Sequence, residues 1–345
     1  MLPVILLPDI LNISSNELKK HYKEIFYLAF IAVILSIFIA VLVTPYLLPS
    51  YSFSIGMLLA LFSMLMATDA ITVSSIMSKF KLPEKLKIYA ESESLFNDVT
   101  ALIIYYFVAL PMISSAKINI LELNIVLLKV FILSISIGII IAYIGFTTIK
   151  LLKNSFDQFL VIYLIVTISF MIAEYFNIAG ILSILTSVLT FKYLVYKSLS
   201  KNKSKLPVVT KKHFKEYKKE SEFIGIFANA IVFMIVANII NPNLLFTYYK
   251  EILIIFIITT IIRYFSIFLM IKKLSLPSRW TYALSLSGTK GALAIIMVHS
   301  LPQTFIYKEM FESIIIGNVL LSTFIYTLAL IKHVNVHFNE YKKDS

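Results

Sequence analysis

Ten apolar runs, each close to the length that spans a bilayer, recur along this chain, at roughly residues 25–48, 54–78, 87–111, 124–149, 156–175, 178–196, 222–240, 245–271, 279–301 and 311–331. An α-helix needs about 20 such residues to cross the hydrocarbon core. That core holds no water, so every backbone group must be bonded within the protein, which leaves helices or a closed barrel. Unbroken runs of this length select helices. The chain is therefore expected to be an all-α polytopic membrane protein with about ten transmembrane helices. The 59% hydrophobic content and mean hydropathy of +0.89 are far above those of a soluble domain. There is no cysteine, which excludes disulfides, thiolate catalysis and Cys-based metal sites. Residues 1–8 lack the basic start of a signal peptide and read as the tail of a membrane helix.

The net charge of +12 does not point to nucleic acid, because it sits in short loops. One set of loops carries Lys19, Lys20 and Lys23, then Lys79, Lys81, Lys85 and Lys87, then Lys150 and Lys153, then the basic 197–220 segment, then Lys272, Lys273 and Arg279, then Lys332, Lys342 and Lys343. The alternate loops hold at most a lone lysine, such as Lys117, Lys250 or Lys308. This is the positive-inside pattern. It places both termini of the chain in the cytoplasm, with the plasma (inner) membrane as the expected location. The 197–220 loop reads either as a solvated connector or as a binder of anionic lipid.

With that orientation, segments one to three start inside and segments eight to ten start outside. If the two triplets are repeats, they are inverted. Transporters of that kind carry interrupted helices at the midplane. The second segment holds Ala67-Thr68-Asp69-Ala70, and the ninth holds Ser287-Gly288-Thr289-Lys290-Gly291. Both are places where the helix can unwind, and Gly288 and Gly291 flank Lys290 although glycine is scarce.

Asp98 lies inside the third segment, where an aspartate costs about 2.5–3.5 kcal/mol at a helix centre. Helical spacing puts Asp98, Ser94 and Glu91 on one face, and Asn97 and Glu93 on the next. Asp98, Asp69, Thr68, Ser94 and a freed carbonyl can supply oxygen ligands to Na+. A carboxylate that takes either a cation or a proton also explains exchange, since loading one ligand expels the other. The alternative is that Asp98 is a structural acid paired with a base. Glu93 is the expected partner of Lys290, joining segments three and nine; a rival reading makes Lys290 a carrier of transported protons. Glu174 reads as a guard of an ion entrance or as an interfacial acid. Arg263 reads as snorkelling or as bonding freed carbonyls. His299 stands without a zinc-like set of neighbours, which argues against a membrane-embedded enzyme. No cofactor is expected.

Thr68-Asp69, the run Glu91-Ser-Glu-Ser-Leu-Phe-Asn-Asp98, Ala173-Glu174…Gly180, Phe223…Asn229…Phe233, Arg263 and Gly288-Thr-Lys-Gly-Ala292 together resemble the monovalent cation:proton antiporters, in their sodium/proton exchanger (NhaP/NHE) branch. The resemblance implies an inverted-repeat fold with two interrupted crossing helices, a dimerisation domain, and homodimers for full-length members. It implies Asp98 as the ion- and proton-binding acid, Ser94 as a helper, Thr68 and Asp69 in an unwound crossing helix, Asn97 as the mark of electroneutral exchange, and Glu93 paired with Lys290. The expected division is 1–24 as a helix remnant and connector, 25–111 as the first core triplet, 124–240 as the scaffold, 245–331 as the second core triplet, and 332–345 as a tail. Where the family usually has arginine, this chain has Lys290. The expected function is exchange of Na+ (or Li+ or K+) for H+ across the lipid bilayer; the alternative is an N-terminally truncated remnant without turnover.

Overall fold

A computed structural model describes residues 2–69, 77, 79, 80, 82–114, 120–201 and 211–343. Residues 70–76 of the second expected segment, Lys81, Lys117 and residues 202–210 of the basic loop lie outside the described residues.

Every element among the described residues is helical. In chain order they are α1 (Leu2–Asn12), α2 (Ser15–Lys20), α3 (Tyr22–Leu47), α4 (Ile55–Met66), α5 (Glu84–Ser114), α6 (Ile120–Ile149), α7 (Ser155–Tyr175), α8 (Gly180–Lys201), α9 (Lys211–Ile239), α10 (Pro242–Thr247), α11 (Tyr249–Lys273), α12 (Arg279–Leu286), α13 (Ala292–His299), α14 (Lys308–Val336) and α15 (Phe338–Lys343). Among the described residues, seven helices are long and apolar enough to cross a membrane by length and composition. The 54–78, 222–240 and 279–301 runs are not among them; the 222–240 run lies partly in α9, and for the other two the reason is visible in the backbone. The helix of the 54–78 run stops at Met66, and the 279–301 run is split into α12 and α13.

Local chemistry sets the helix ends. Ser54 caps α4, its hydroxyl accepting from the Met57 N–H at 3.3 Å, and Asn154 caps α7 in the same way through the Phe156 N–H at 3.2 Å. Asn241 caps α10, with Pro242 in the first helical turn. Asn177 has φ 50°, a left-handed conformation asparagine tolerates, and turns the chain between α7 and α8. On α6, Ile125, Leu128, Ile132, Ile139 and Tyr143 form one exposed apolar stripe. A soluble helix buries such a stripe, whereas a lipid-facing helix presents it.

The chain divides into two compact units, Met1–Glu17 with Asn119–Met234, and Leu18–Ile118 with Ile235–Ser345. In the first unit, Lys192 of α8 is 1% exposed. Its Nζ donates to the carbonyls of Ile10 (2.9 Å) and Leu11 (3.0 Å), and to that of Ile13. These are carbonyls at the C-terminal end of α1, where the helix has no partners of its own to offer. A cation there also complements the helix dipole.

In the second unit, three helices each contain a π turn: Tyr27–Ile31 in α3, Tyr105–Ala109 in α5 and Ser322–Tyr326 in α14. Each turn sits beside a polar contact. The Ala29 carbonyl accepts from Thr100 Oγ1 at 2.9 Å, Tyr105 Oη donates to the Met297 carbonyl at 2.8 Å, and Ser322 Oγ accepts from the Lys290 N–H at 2.9 Å. The short α15 packs back on this unit. Tyr341 is 1% exposed, and its hydroxyl donates to the Arg279 carbonyl at 3.2 Å.

Candidate functional site

Two stretches of extended backbone meet inside the second unit. After α4 the chain turns extended at Ala67 (φ −64°, ψ 131°) and continues through Thr68 and Asp69. After α12, residues 287–291 run without helix until α13 begins at Ala292, with Gly291 at φ −114°, ψ −175°. The two touch directly. The Asp69 N–H donates to the Thr289 carbonyl at 2.8 Å, and Thr289 Oγ1 lies 3.5 Å from the Asp69 carbonyl.

The glycines here serve closeness rather than unusual dihedrals, since none adopts a positive φ. A Cβ on Gly291 would lie 3.1 Å from Asp69 Cβ, and one on Gly288 would lie 2.2 Å from Arg263 Nε. Gly291 lets the two extended stretches approach. Gly288 leaves room for a guanidinium.

Helix α5 supplies the third wall. Asp98 Oδ1 accepts the Thr68 N–H at 2.9 Å. Thr68 Oγ1 donates to Ser94 Oγ at 2.9 Å. Asn97 Nδ2 donates to Thr68 Oγ1 at 3.2 Å and to Glu93 Oε1 at 2.8 Å. A carboxylate only accepts, so Glu93 fixes which end of the amide is nitrogen. Asn97 Oδ1 is then left buried and without a partner among the described residues. Thr68, Ser94, Asn97 and Asp98 are 4%, 2%, 1% and 7% exposed, so water screens this charge poorly. Asp69 is less buried than these four. The site thus offers oxygens from a carboxylate, an amide and two hydroxyls, at the C-terminal end of α4, where the helix dipole is negative. Hard cations take such ligands, and a carboxylate also takes a proton.

The expected Glu93–Lys290 pair is replaced. Arg263 Nη1 and Nη2 donate to Glu93 Oε1 and Oε2, each at 2.8 Å. The planar fork matches both oxygens of the carboxylate, which an ammonium cannot do. Arg263 also donates from Nε to the Ser285 carbonyl and from Nη2 to the Leu284 carbonyl, both at 3.1 Å. These carbonyls belong to the last turn of α12, where the Leu284 carbonyl also accepts the Ser287 hydroxyl at 2.7 Å and the Ser285 carbonyl the Gly288 N–H at 3.3 Å. Lys290 is 3% exposed, and its Nζ makes no hydrogen bond or ion pair among the described residues. Only its backbone N–H is held, by Ser322.

Two accessory candidates lie elsewhere. Glu91 pairs with Lys87 one turn before it on α5, at 3.6 Å. Glu174 belongs to the first unit, where its carboxylate accepts the Gly180 N–H and so caps α8. Ser322, Tyr105 and Lys192 were not anticipated. Their only signal was a polar group inside an apolar run.

Residues 1–334 match the family model described as the transmembrane sodium/hydrogen exchanger. The chain is 28% identical over 254 residues to the Na+/H+ antiporter NhaG of Bacillus atrophaeus, a match covering 72% of this chain and 46% of that protein. It is 23% identical over 330 residues to the Na+/H+ antiporter NhaS2 of Synechocystis sp., covering 93% and 58%. It therefore spans about half the length of these curated relatives. The fold is similar to that of the sodium proton antiporter MjNhaP1 from Methanocaldococcus jannaschii. There the TM-score is 0.75 at 16% identity, with 99% of this chain and 83% of that one covered.

Proposed function

This chain belongs to the sodium/hydrogen exchanger family, and we propose that it exchanges Na+ for H+ across the membrane by alternating access, with Li+ and K+ as further candidate cations. Asp98 is the carrier. The observation behind this reading is a buried carboxylate tied to the N–H of Thr68, in a helix break lined by Ser94, Thr68 and Asn97 oxygens. One negative charge there can hold a cation or a proton but not both, so entry of one displaces the other. Asn97 adds an oxygen without adding charge, so the cation-loaded and proton-loaded sites carry the same net charge. One cation then crosses against one proton. Asp69 lies at the crossing and takes part in loading the ion.

In this reading Glu93 and Arg263 form a structural pair, and Lys290 takes no part in ion binding. Both termini of the chain face the cytoplasm of a cell whose plasma membrane holds the protein, and the exchange serves pH and sodium homeostasis.

The test is proton flux in proteoliposomes driven by Na+, Li+ or K+ gradients, with wild-type protein and Asp98→Asn. Wild type is expected to move protons with at least one of these cations, and the variant with none while melting at a similar temperature. Cation-coupled proton flux from Asp98→Asn would remove Asp98 from the carrier role.

A further inference from the structure

Among the described residues of the second unit, Tyr89 and Ser92 on α5 and Thr281 and Ser285 on α12 carry enclosed hydroxyls that bond to no protein atom, as does Thr327 on α14. The first four are 0%, 1%, 1% and 7% exposed. Other serines and threonines here turn back onto their own helix, as in Thr44 to the Ala40 carbonyl at 2.7 Å, Ser63 to the Ala60 carbonyl at 2.9 Å, and Ser287 to the Leu284 carbonyl at 2.7 Å. These four do not.

Their placement is ordered. Tyr89 and Ser92 are one helical turn apart, as are Thr281 and Ser285, so each pair lies along one face. The two helices are in contact, with the Tyr89 and Trp280 rings edge-on at 6.4 Å. At the inner end, Arg263 links Glu93 on α5 to the Ser285 carbonyl on α12. Glu93 is one turn beyond Tyr89, and Asn97 joins it to Thr68, whose N–H holds Asp98. At the other end lie His21, Lys85 and Glu24. The His21 ring meets Tyr89 edge-on at 5.5 Å, Lys85 Nζ lies 5.6 Å from the Tyr89 ring centroid, and Glu24 lies 4.0 Å from His21.

A buried hydroxyl left unbonded costs about 1–3 kcal/mol, and four on two helices that touch are not sustained by dry packing. Ordered water, which makes two to four hydrogen bonds at such sites, removes that cost. We infer that Tyr89, Ser92, Thr281 and Ser285 hold a file of water within the second unit, and that this file carries protons between the His21–Lys85 end and the Thr68 and Ser94 hydroxyls beside Asp98, where a hydroxyl or water hands its proton to the carboxylate as it accepts the next one. Each water passes one proton on as it accepts another, so one proton entering delivers one at the far end. The file has no carboxylate until Glu93, which Arg263 already neutralises. It therefore suits protons and offers Na+ no compensating charge. The proton-carrying role rests on the exchange reading, whereas the water does not.

The experiment is radiolytic hydroxyl labelling of the purified full chain, read residue by residue by mass spectrometry. Water bound beside a buried ring allows that ring to be labelled. Tyr89 and Trp280 are expected to label well above Phe62 and Phe311, which are both 0% exposed. Combining Tyr89→Phe, Ser92→Ala, Thr281→Val and Ser285→Ala should abolish that label. It should also slow Na+-driven proton flux by roughly tenfold or more without changing the Na+ KM. Tyr89 and Trp280 labelling no more than Phe62 overturns the water file. Wild-type flux in the combined variant overturns the proton route. If that variant does not fold, labelling of wild type and flux in Thr281→Val with Ser285→Ala decide the same two questions. Strong labelling in a wild-type protein that exchanges no cation for protons leaves the file standing and removes the exchange reading.

Discussion

Arg263 and Glu93 are joined by two parallel hydrogen bonds of 2.8 Å, from residues 170 positions apart in the chain. The pair ties α11 to α5, and through the Leu284 and Ser285 carbonyls it also holds the end of α12. Removing one partner leaves the other charge buried and alone. Arg263→Met and Glu93→Gln should each cost ~3–5 kcal/mol, and the double variant should recover part of that loss. Lys290→Met strands no carboxylate and should cost far less than Arg263→Met. A thermal-melt cycle giving strictly additive losses, or a Lys290→Met loss as large as that of Arg263→Met, would contradict this assignment.

Gly288 and Gly291 should differ in their tolerance of alanine. A Cβ at Gly288 would fall 2.2 Å from Arg263 Nε, so the guanidinium must leave its place. At Gly291 the nearest atom is Asp69 Cβ at 3.1 Å, and a small shift of the crossing accommodates it. Gly288→Ala is therefore expected to approach the Arg263→Met loss, and Gly291→Ala to retain most of its stability. Equal melting temperatures for the two alanine variants would show that packing against Arg263 is not what Gly288 serves.

Lys192→Met keeps the apolar stem but removes the donor to three carbonyls at the end of α1. Each carbonyl stranded out of reach of water should cost about 1–3 kcal/mol. The loss should be visible as early proteolytic cleavage at α1, ahead of any cleavage in the second unit. Unchanged cleavage kinetics would mean that α1 is held by its apolar contacts alone.

Tyr51 lies between α3 and α4, and its hydroxyl donates to Glu251 Oε1 at 2.7 Å. Burial, and then this hydrogen bond to a carboxylate, push its pKa from 10.0 up to about 12. The folded value is the higher one, so the contribution to stability is complete below pH 10 and is lost as the pH rises through about 12. In an alkaline absorbance titration, the difference between wild type and Tyr51→Phe should show one phenol ionising near that upper value. A difference step near pH 10 would mean that the contact with Glu251 is not held.

Because Asn97 is uncharged, an imposed membrane potential should not move the equilibrium of exchange. A transported elementary charge would feel ~2.3 kcal/mol per 100 mV, and a one-for-one cycle feels none. The flux-reversal point should therefore follow only the Na+ and H+ gradients when a potassium–valinomycin potential is applied, after K+ has been checked as a substrate. A reversal point that shifts with voltage would require a second proton per cycle, and Lys290 would then be the group to examine.

Much of the site could be read from residue spacing. Ser94 and Asp98, and Glu93 and Asn97, are four apart, and the structure places each pair on its own face of α5. The two helix breaks were also legible, because Thr68-Asp69 and the glycine-flanked Lys290 interrupt runs that are otherwise apolar. The partner of Glu93 was not legible in this way. Arg263 sits in an apolar stretch with no motif around it, and only tertiary packing brings its fork to the carboxylate. It is one of two arginines in the chain, the other being Arg279, and that scarcity was the available clue. Lys192 was harder still, since its acceptors are main-chain carbonyls, which leave no trace in side-chain identity. The purpose of Gly288 likewise depends on what stands opposite it.

The π turns of α3, α5 and α14 change how these helices are to be drawn on a helical wheel. Each turn holds one residue more than an α-helical turn would. Every position beyond it is displaced by about 100° from where a uniform count of 3.6 residues per turn would put it. A wheel started at Asp98 remains valid from Glu84 to Ile104, but it must be restarted beyond the π turn, at Leu110. A wheel started at Lys308 must likewise be restarted at Thr327. Deleting a single residue inside one of these turns would not simply shorten the helix. It would rotate the whole far half of the span, so that residues now packed inward would face lipid.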